Sequence, residues 1–182
     1  ALFACAEGVP AQSPYPTLSG ETPIVIAHRG ASGLLPEHTL EAYTLAVQQG
    51  ADFIEPDLVM TKDGVLIARH DRFLSTTTDV SDRPEFADRK RIRGTVDGER
   101  DDWWAEDFTL NEIRTLRARQ PYAGRSKEFD DQFEIPTFAE IVDLATASGV
   151  GLYPETKSPS YHTDIGLDMK APLLDALDGL QV

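Results

Sequence analysis

Short apolar runs alternate with stretches whose apolar side chains recur at helical spacing. Residues 23–27 (Pro23-Ile24-Val25-Ile26-Ala27) are β-branched and bounded by turn residues, which predicts a buried strand ending at His28-Arg29-Gly30. Residues 39–47 have helical spacing, with Thr39 as N-cap and Gly50 as stop. A second strand is predicted over 52–60, a turn at Lys62-Asp63-Gly64 and a third strand over 65–70. Residues 71–108 are polar, with little periodicity, and read as an insertion. Thr109 and Glu112 have capping-box spacing and open a helix to about Ala118; residues 119–134 are loop-like. Thr137 and Glu140 repeat the device for a helix through Ser148, stopped by Gly149, before a fourth strand over 150–155 and a last helix over 167–180. Strands separated by helices predict a parallel sheet covered on both faces, in a barrel or a doubly wound sheet. No Gly-x-Gly-x-x-Gly follows the first strand, so the dinucleotide-binding sheet lacks its fingerprint. Four strands would be roughly half of an α/β (β/α)8 barrel of TIM type, so the expectation is its N-terminal half.

Composition narrows the function. The 182 residues carry 17 Lys+Arg against 31 Asp+Glu, a net charge of −14, which disfavours a phosphate-backbone partner. An apolar content of 41% is enough for a buried core. Cys5 is the only cysteine and cannot form an internal disulfide, and no run of 18 apolar residues is present to span a membrane. Residues 1–22 read as an export-leader remnant with a Pro/Ser/Thr/Gly-rich linker: Ala4-Cys5-Ala6 fits a small-x-small cleavage pattern, and Cys5 is alternatively a lipoprotein acylation site. Residues 23–182 then form the domain, and the expected location is periplasmic or otherwise exported.

Each predicted strand ends in groups that are costly to bury unpaired: His28-Arg29, then Glu55 and Asp57, then His70-Asp71, then Glu155 and Lys157. In a barrel these ends converge on the catalytic face. Glu55 and Asp57, two apart on one strand, share a face and can hold a hard divalent cation, with Glu155 as third carboxylate. The alternative is a pair of strand-edge carboxylates, with Pro56 marking an edge or bulge. His28 and His70 suit acid–base work, or are structural. Arg29 and Lys157 suit a phosphate, or form salt bridges with the neighbouring carboxylates. The basic run 89–93 reads as a solvated surface balanced by acidic neighbours, and Trp103-Trp104 as core of the insertion.

The blocks Val25-Ile26-Ala27-His28-Arg29-Gly30-Ala31, Pro36-Glu37-His38-Thr39, Glu55-Pro56-Asp57-Leu58, His70-Asp71 and Tyr153-Pro154-Glu155-Thr156-Lys157 resemble the successive signatures of glycerophosphodiester phosphodiesterases. His38 in Pro-Glu-His-Thr and the run 57–63 are similar to the bacterial periplasmic branch, although Pro56 stands where that branch often has Gln. The resemblance implies a barrel and hydrolysis of glycerophosphodiesters, such as glycerophosphocholine, to glycerol 3-phosphate and an alcohol. It implies a divalent cation, Ca2+ in that branch with Mg2+ as the alternative, on Glu55, Asp57 and Glu155. It also implies catalytic His28 and His70, phosphate contacts from Arg29 and Lys157, and support from Glu37 and His38. Rival readings are another phosphodiesterase on this barrel, such as a phospholipase D-like enzyme, and a phosphodiester-binding or inactive fragment.

Overall fold

A computed structural model describes residues 17–178. Cys5 and the leader pattern lie outside them, as does the end of the last predicted helix. The first strand, β1 (Ile26–His28), leads through a turn into helix α1 (Leu40–Gln48), whose N-cap Thr39 accepts a hydrogen bond from the Ala42 amide. The predicted second strand is divided at Pro56 into β2 (Phe53–Glu55) and β3 (Asp57–Met60), which lie in different sheets. Proline has no amide hydrogen with which to continue a ladder.

Strand β4 (Leu66–Ala68) turns back through residues 61–65 and pairs antiparallel with β3. The expected all-parallel sheet is therefore corrected to a mixed one: a two-strand hairpin needs only a tight turn, whereas a parallel neighbour needs a crossover. Residues 71–108 also hold more regular structure than their pattern predicts, with short 3-10 turns and a hairpin of β5 (Arg91–Thr95) and β6 (Gly98–Asp102). Polar β5 and β6 lack an apolar alternation because most of their residues are exposed or half-buried. Trp103 and Trp104 are core, each donating its indole N–H to a backbone carbonyl, Phe86 at 2.6 Å and Arg91 at 2.7 Å. The neighbouring basic run is neutralised by Glu112, Asp101, Glu106 and Asp107.

Helix α2 spans only Leu110–Ile113, but both capping boxes form, at Thr109 and at Thr137 of α3 (Phe138–Ser148), and Gly149 closes α3 in the left-handed conformation. The fourth predicted strand becomes β7 (Gly151–Leu152) and β8 (Glu155–Thr156), interrupted at Tyr153-Pro154. Amides of Gly151, Tyr153, Glu155 and Lys157 donate in turn to carbonyls of Asp52, Ile54, Pro56 and Leu58, so β7 and β8 follow β2 and β3 across the break. Sheet order is β1-β2-β7 and β4-β3-β8. Two further helices follow, α4 (Pro159–Asp164), which the sequence pattern does not reveal, and α5 (Lys170–Leu177).

Helix α3 lies over the sheets: Ile141 and Ala145 pack with Tyr43 and Ile54, while Phe138 and Val142 pack with Leu58, Met60 and Leu66. The segment 71–108 packs Leu74, Val80, Phe86 and Phe108 against Val59 and Ile67. Arg72 ties α4 to this segment, with its guanidinium 3.6 Å from the Tyr161 ring centre, 4.9 Å from that of Trp104 and 2.6 Å from Glu106. Among the described residues β1 pairs only with β2, and Ile24, Val25 and Ile26 are exposed where the sequence pattern predicts a buried strand. No helix among the described residues is long and apolar enough to cross a membrane.

The cap at α2 yields a stability test. The Arg89 guanidinium at 2.6 Å holds the Glu112 carboxyl down at about 2. A depressed carboxyl stabilises the fold above its unfolded value and loses that contribution as pH falls toward the folded one. Glu112→Gln retains an acceptor for the capping box but loses the charge. Urea midpoints should show it about 1 kcal/mol less stable at pH 7, with the gap closing between pH 4.5 and about 2. A gap independent of pH would remove the Arg89–Glu112 charge as its cause.

Candidate active site

The site forms where β1, the β2–β3 break and the returning end of β4 meet. The Arg29 amide donates to the Glu55 carbonyl at 3.0 Å, and the Arg69 amide just past β4 donates to the Asp57 carbonyl at 2.9 Å. His70 therefore reaches the end of β1 because β4 runs backwards, not because parallel strands end together. Two left-handed residues, Arg29 (φ 63) and His38 (φ 57), are joined by a hydrogen bond from the His38 amide to the Arg29 carbonyl at 3.2 Å. Such conformations are strained by roughly 1–2 kcal/mol per non-glycine residue, and strain of this kind concentrates at functional sites. Between them Gly30 (φ 76) touches α1 so closely that a Cβ would lie 2.7 Å from the Ala42 carbonyl carbon. Only glycine lets α1 carry Tyr43 into the site.

Asp57 is the hub. Its Oδ2 lies 3.1 Å from His38 Nε2 and 3.3 Å from Arg29 Nε, and its Oδ1 lies 3.4 Å from Lys157 Nζ. Burial raises its carboxyl, but the His38 hydrogen bond and the surrounding cationic groups outweigh that and hold it well below the usual carboxylate range. His38 is fully buried, which pushes it down to about 4 and keeps the ring neutral at pH 7. Burial also pushes the Tyr43 phenol well up, so its O–H donates to His38 Nδ1 at 2.7 Å and leaves the Nε2 proton for Asp57. Glu55 is raised, first by burial and then by the Asp57 charge.

His28 Nε2 accepts from Arg29 Nε at 3.3 Å and lies 3.7 Å from Glu55 Oε2, with the imidazole 65% exposed. One ligand atom each from His28, Glu55 and Asp57 lies within 4.8 Å of the others. Glu55 Oε2 and Asp57 Oδ1 are buried without a hydrogen-bond partner among the described residues. Two such anionic oxygens beside an imidazole fit a divalent cation. Glu155 does not join this group within that distance: its carboxylate is 57% exposed and accepts from Lys157 Nζ at 2.9 Å. Arg29 also bonds Glu37 at 3.2 Å, so Glu37 orients Arg29. Both predicted phosphate contacts thus sit at the site while paired with carboxylates. His70 Nδ1 donates to Asp71 at 3.0 Å, and the ring lines a cleft of about 210 Å³ with Lys157, Phe73, Val96 and Trp104.

Two contributors escape sequence reasoning. Tyr43 sits at an apolar position of α1 and reads as core, and Arg69 reads as one more residue of an apolar strand. A charge at the end of such a run was the available signal for Arg69.

The glycerophosphoryl diester phosphodiesterase family model matches residues 28–178. A glycerophosphodiester phosphodiesterase of Arabidopsis thaliana is 45% identical over 146 residues, covering 79% of this chain and 39% of the relative. One of Haemophilus influenzae is 39% identical over 171 residues, covering 85% of this chain and 44% of the relative. Among solved structures, a phosphodiesterase of Oleispira antarctica in complex with the product sn-glycerol-3-phosphate is similar at TM-score 0.62 and 29% identity, covering 86% of this chain and 52% of that one. A putative glycerophosphoryl diester phosphodiesterase of Silicibacter pomeroyi gives TM-score 0.66 at 26% identity, covering 85% and 52%. The chain thus spans about half the length of these relatives. These neighbours place the partial α/β arrangement in a TIM-barrel-like phosphodiesterase fold. With the signature residues at one site and the family model matched over most of its length, the chain belongs to the glycerophosphoryl diester phosphodiesterase family.

Proposed function

We propose that the whole protein hydrolyses glycerophosphodiesters to glycerol 3-phosphate and an alcohol in a divalent-cation-dependent reaction, with this chain as the N-terminal part of the barrel. The observation that carries the reading is the pair of buried carboxylate oxygens on Glu55 and Asp57 that accept no hydrogen bond among the described residues, grouped with His28 and flanked by Arg29 and Lys157. The product complex of the Oleispira relative supports the substrate class.

Glu55 and Asp57 would hold the cation, Ca2+ by resemblance to the periplasmic branch, and when bound it supplies Lewis-acid neutralisation of a phosphate oxygen. Arg29 and Lys157 lie where they can share the remaining phosphate charge, and Glu37 keeps the Arg29 fork oriented. Arg29 donates to His28 Nε2, which marks that nitrogen as an acceptor, so His28 takes the proton of the glycerol hydroxyl next to the ester. That hydroxyl attacks phosphorus, and positioning makes the step effectively unimolecular. Asp71 orients His70, which protonates the departing alkoxide in the adjacent cleft. The attack expels the alcohol and closes a cyclic phosphodiester; water then opens it, giving a proton to His70 while His28 returns its proton to the glycerol oxygen released from phosphorus, which leaves glycerol 3-phosphate and both histidines as they began. A second reading, His28 as third cation ligand, is favoured by its place in the cluster.

Release of glycerol 3-phosphate from glycerophosphocholine by the whole protein, with and without chelator, tests the proposal. Turnover abolished by chelator and restored by Ca2+ is expected, together with a Ca2+-dependent rise in Tm from binding to the folded state. Cleavage of sphingomyelin instead would favour the phospholipase D-like rival. Chelator-resistant turnover would remove the cation. Export is proposed on the same branch resemblance; fractionation placing the mature protein in the cytoplasm would refute it.

A further inference from the structure

Arg69 is fully buried, yet it carries a guanidinium that makes one side-chain hydrogen bond, from Nη1 to the Glu37 carbonyl at 3.0 Å. Nε and Nη2 have no partner among the described residues. Burying a cation for a single bond is unfavourable, and an apolar residue at the end of an apolar strand would avoid the penalty. The bond falls next to one of the two left-handed residues of the site, His38. Glu37 precedes His38, whose φ is 57, and the two side chains diverge from this corner, Glu37 to Arg29 at 3.2 Å and His38 to Asp57 at 3.1 Å. Strained residues persist where surrounding structure over-determines them.

We infer that Arg69 is a positioning residue. It fixes the corner at residues 37–38, so that Glu37 holds Arg29 and His38 holds Asp57 in place. Its own backbone amide, bonded to the Asp57 carbonyl at 2.9 Å, ties the same residue to the other side of the site. Groups that hold a ligand-bearing side chain in place set its geometry, and removing one weakens metal affinity or activity about 10- to 100-fold.

The inference rests on the cation-dependent reading for one of its two readouts. Arg69→Met keeps the volume and removes every donor; Arg69→Lys keeps one donor without the fork. In the whole protein, the His38 ring N–H resonance, buried between Tyr43 and Asp57, reports the corner directly by NMR. Calorimetric Ca2+ titration reports Asp57. Arg69→Met is expected to lose the protected His38 resonance and to weaken Ca2+ affinity by about 10- to 100-fold, and Arg69→Lys by about 3- to 10-fold. Leu116→Ala, fully buried in the core that joins the segment 71–108 to Val59 and Ile67, is the control for destabilisation alone: its Tm falls while both readouts stay at wild type. A wild-type His38 resonance with unchanged Ca2+ affinity in every Arg69 variant that folds would overturn the inference and make Arg69 a core residue only. If the wild-type protein binds no Ca2+, the cation reading falls, and the His38 resonance still decides this one.

Discussion

Replacing Asp57 with Asn is expected to lower kcat on the order of 10³-fold and to abolish the Ca2+-dependent rise in Tm, because cation stabilisation of developing charge is worth several kcal/mol. The same carboxylate accepts from His38 and pairs with Arg29 and Lys157, so the amide leaves two cations facing each other across a buried site without their shared counter-charge. Calorimetry with Ca2+ separates this from a general loss of fold. Turnover within threefold of wild type, with Ca2+ affinity intact, would sink the assignment of Asp57. Acid sensitivity should come from its neighbour instead. Asp57 is held low and stays ionised well into acid, whereas Glu55 is raised by burial and by Asp57, so on acidification cation binding should weaken first through protonation of Glu55.

His28→Ala and His70→Ala should each lower kcat on the order of 10²–10⁴-fold, the usual worth of a positioned acid or base. The two variants differ in what else they change. His70 lies in the cleft with its Nδ1 on Asp71, outside the cation cluster, so His70→Ala should leave Ca2+ affinity at wild type. For His28, acting as base, the affinity should also hold; a parallel fall in affinity would make it a ligand. Leaving groups separate them further, since an activated alcohol such as p-nitrophenol needs no acid and should restore turnover of His70→Ala but not of His28→Ala. Near-normal turnover of either folded variant removes that residue from the reaction.

Much of this site was legible along the chain because its residues fall at the ends of apolar runs, and polar groups there demand an explanation. His28, Glu55, Asp57 and His70 needed no more than that. The helix starts were legible for a local reason: at Thr109 and Thr137 each capping box is complete within four residues. What escaped depends on partners distant in sequence. The antiparallel return of β4 looks like any other apolar run, since a strand buried on both faces has the same pattern in either direction. The hairpin at 91–102 sits mostly in solvent and so lacks an alternation. Glu155 is a different case: it looks equivalent to Glu55 from its place near a strand end, but its carboxylate is exposed and bonds Lys157, only two residues on.

The break at Pro56 changes what kind of quantity the carboxylate spacing is. Along an uninterrupted strand, side chains two apart are held by the pleat, and the gap between them is nearly a constant of the backbone. Here Glu55 belongs to one sheet and Asp57 to another, joined by a proline that accepts a hydrogen bond from Glu155 and can return none. The ladder nevertheless carries across the break, through the amides of Tyr153, Glu155 and Lys157 on the carbonyls of Ile54, Pro56 and Leu58, so the spacing of the two carboxylates is set by the neighbouring segment 153–157 and not by the pleat of one strand.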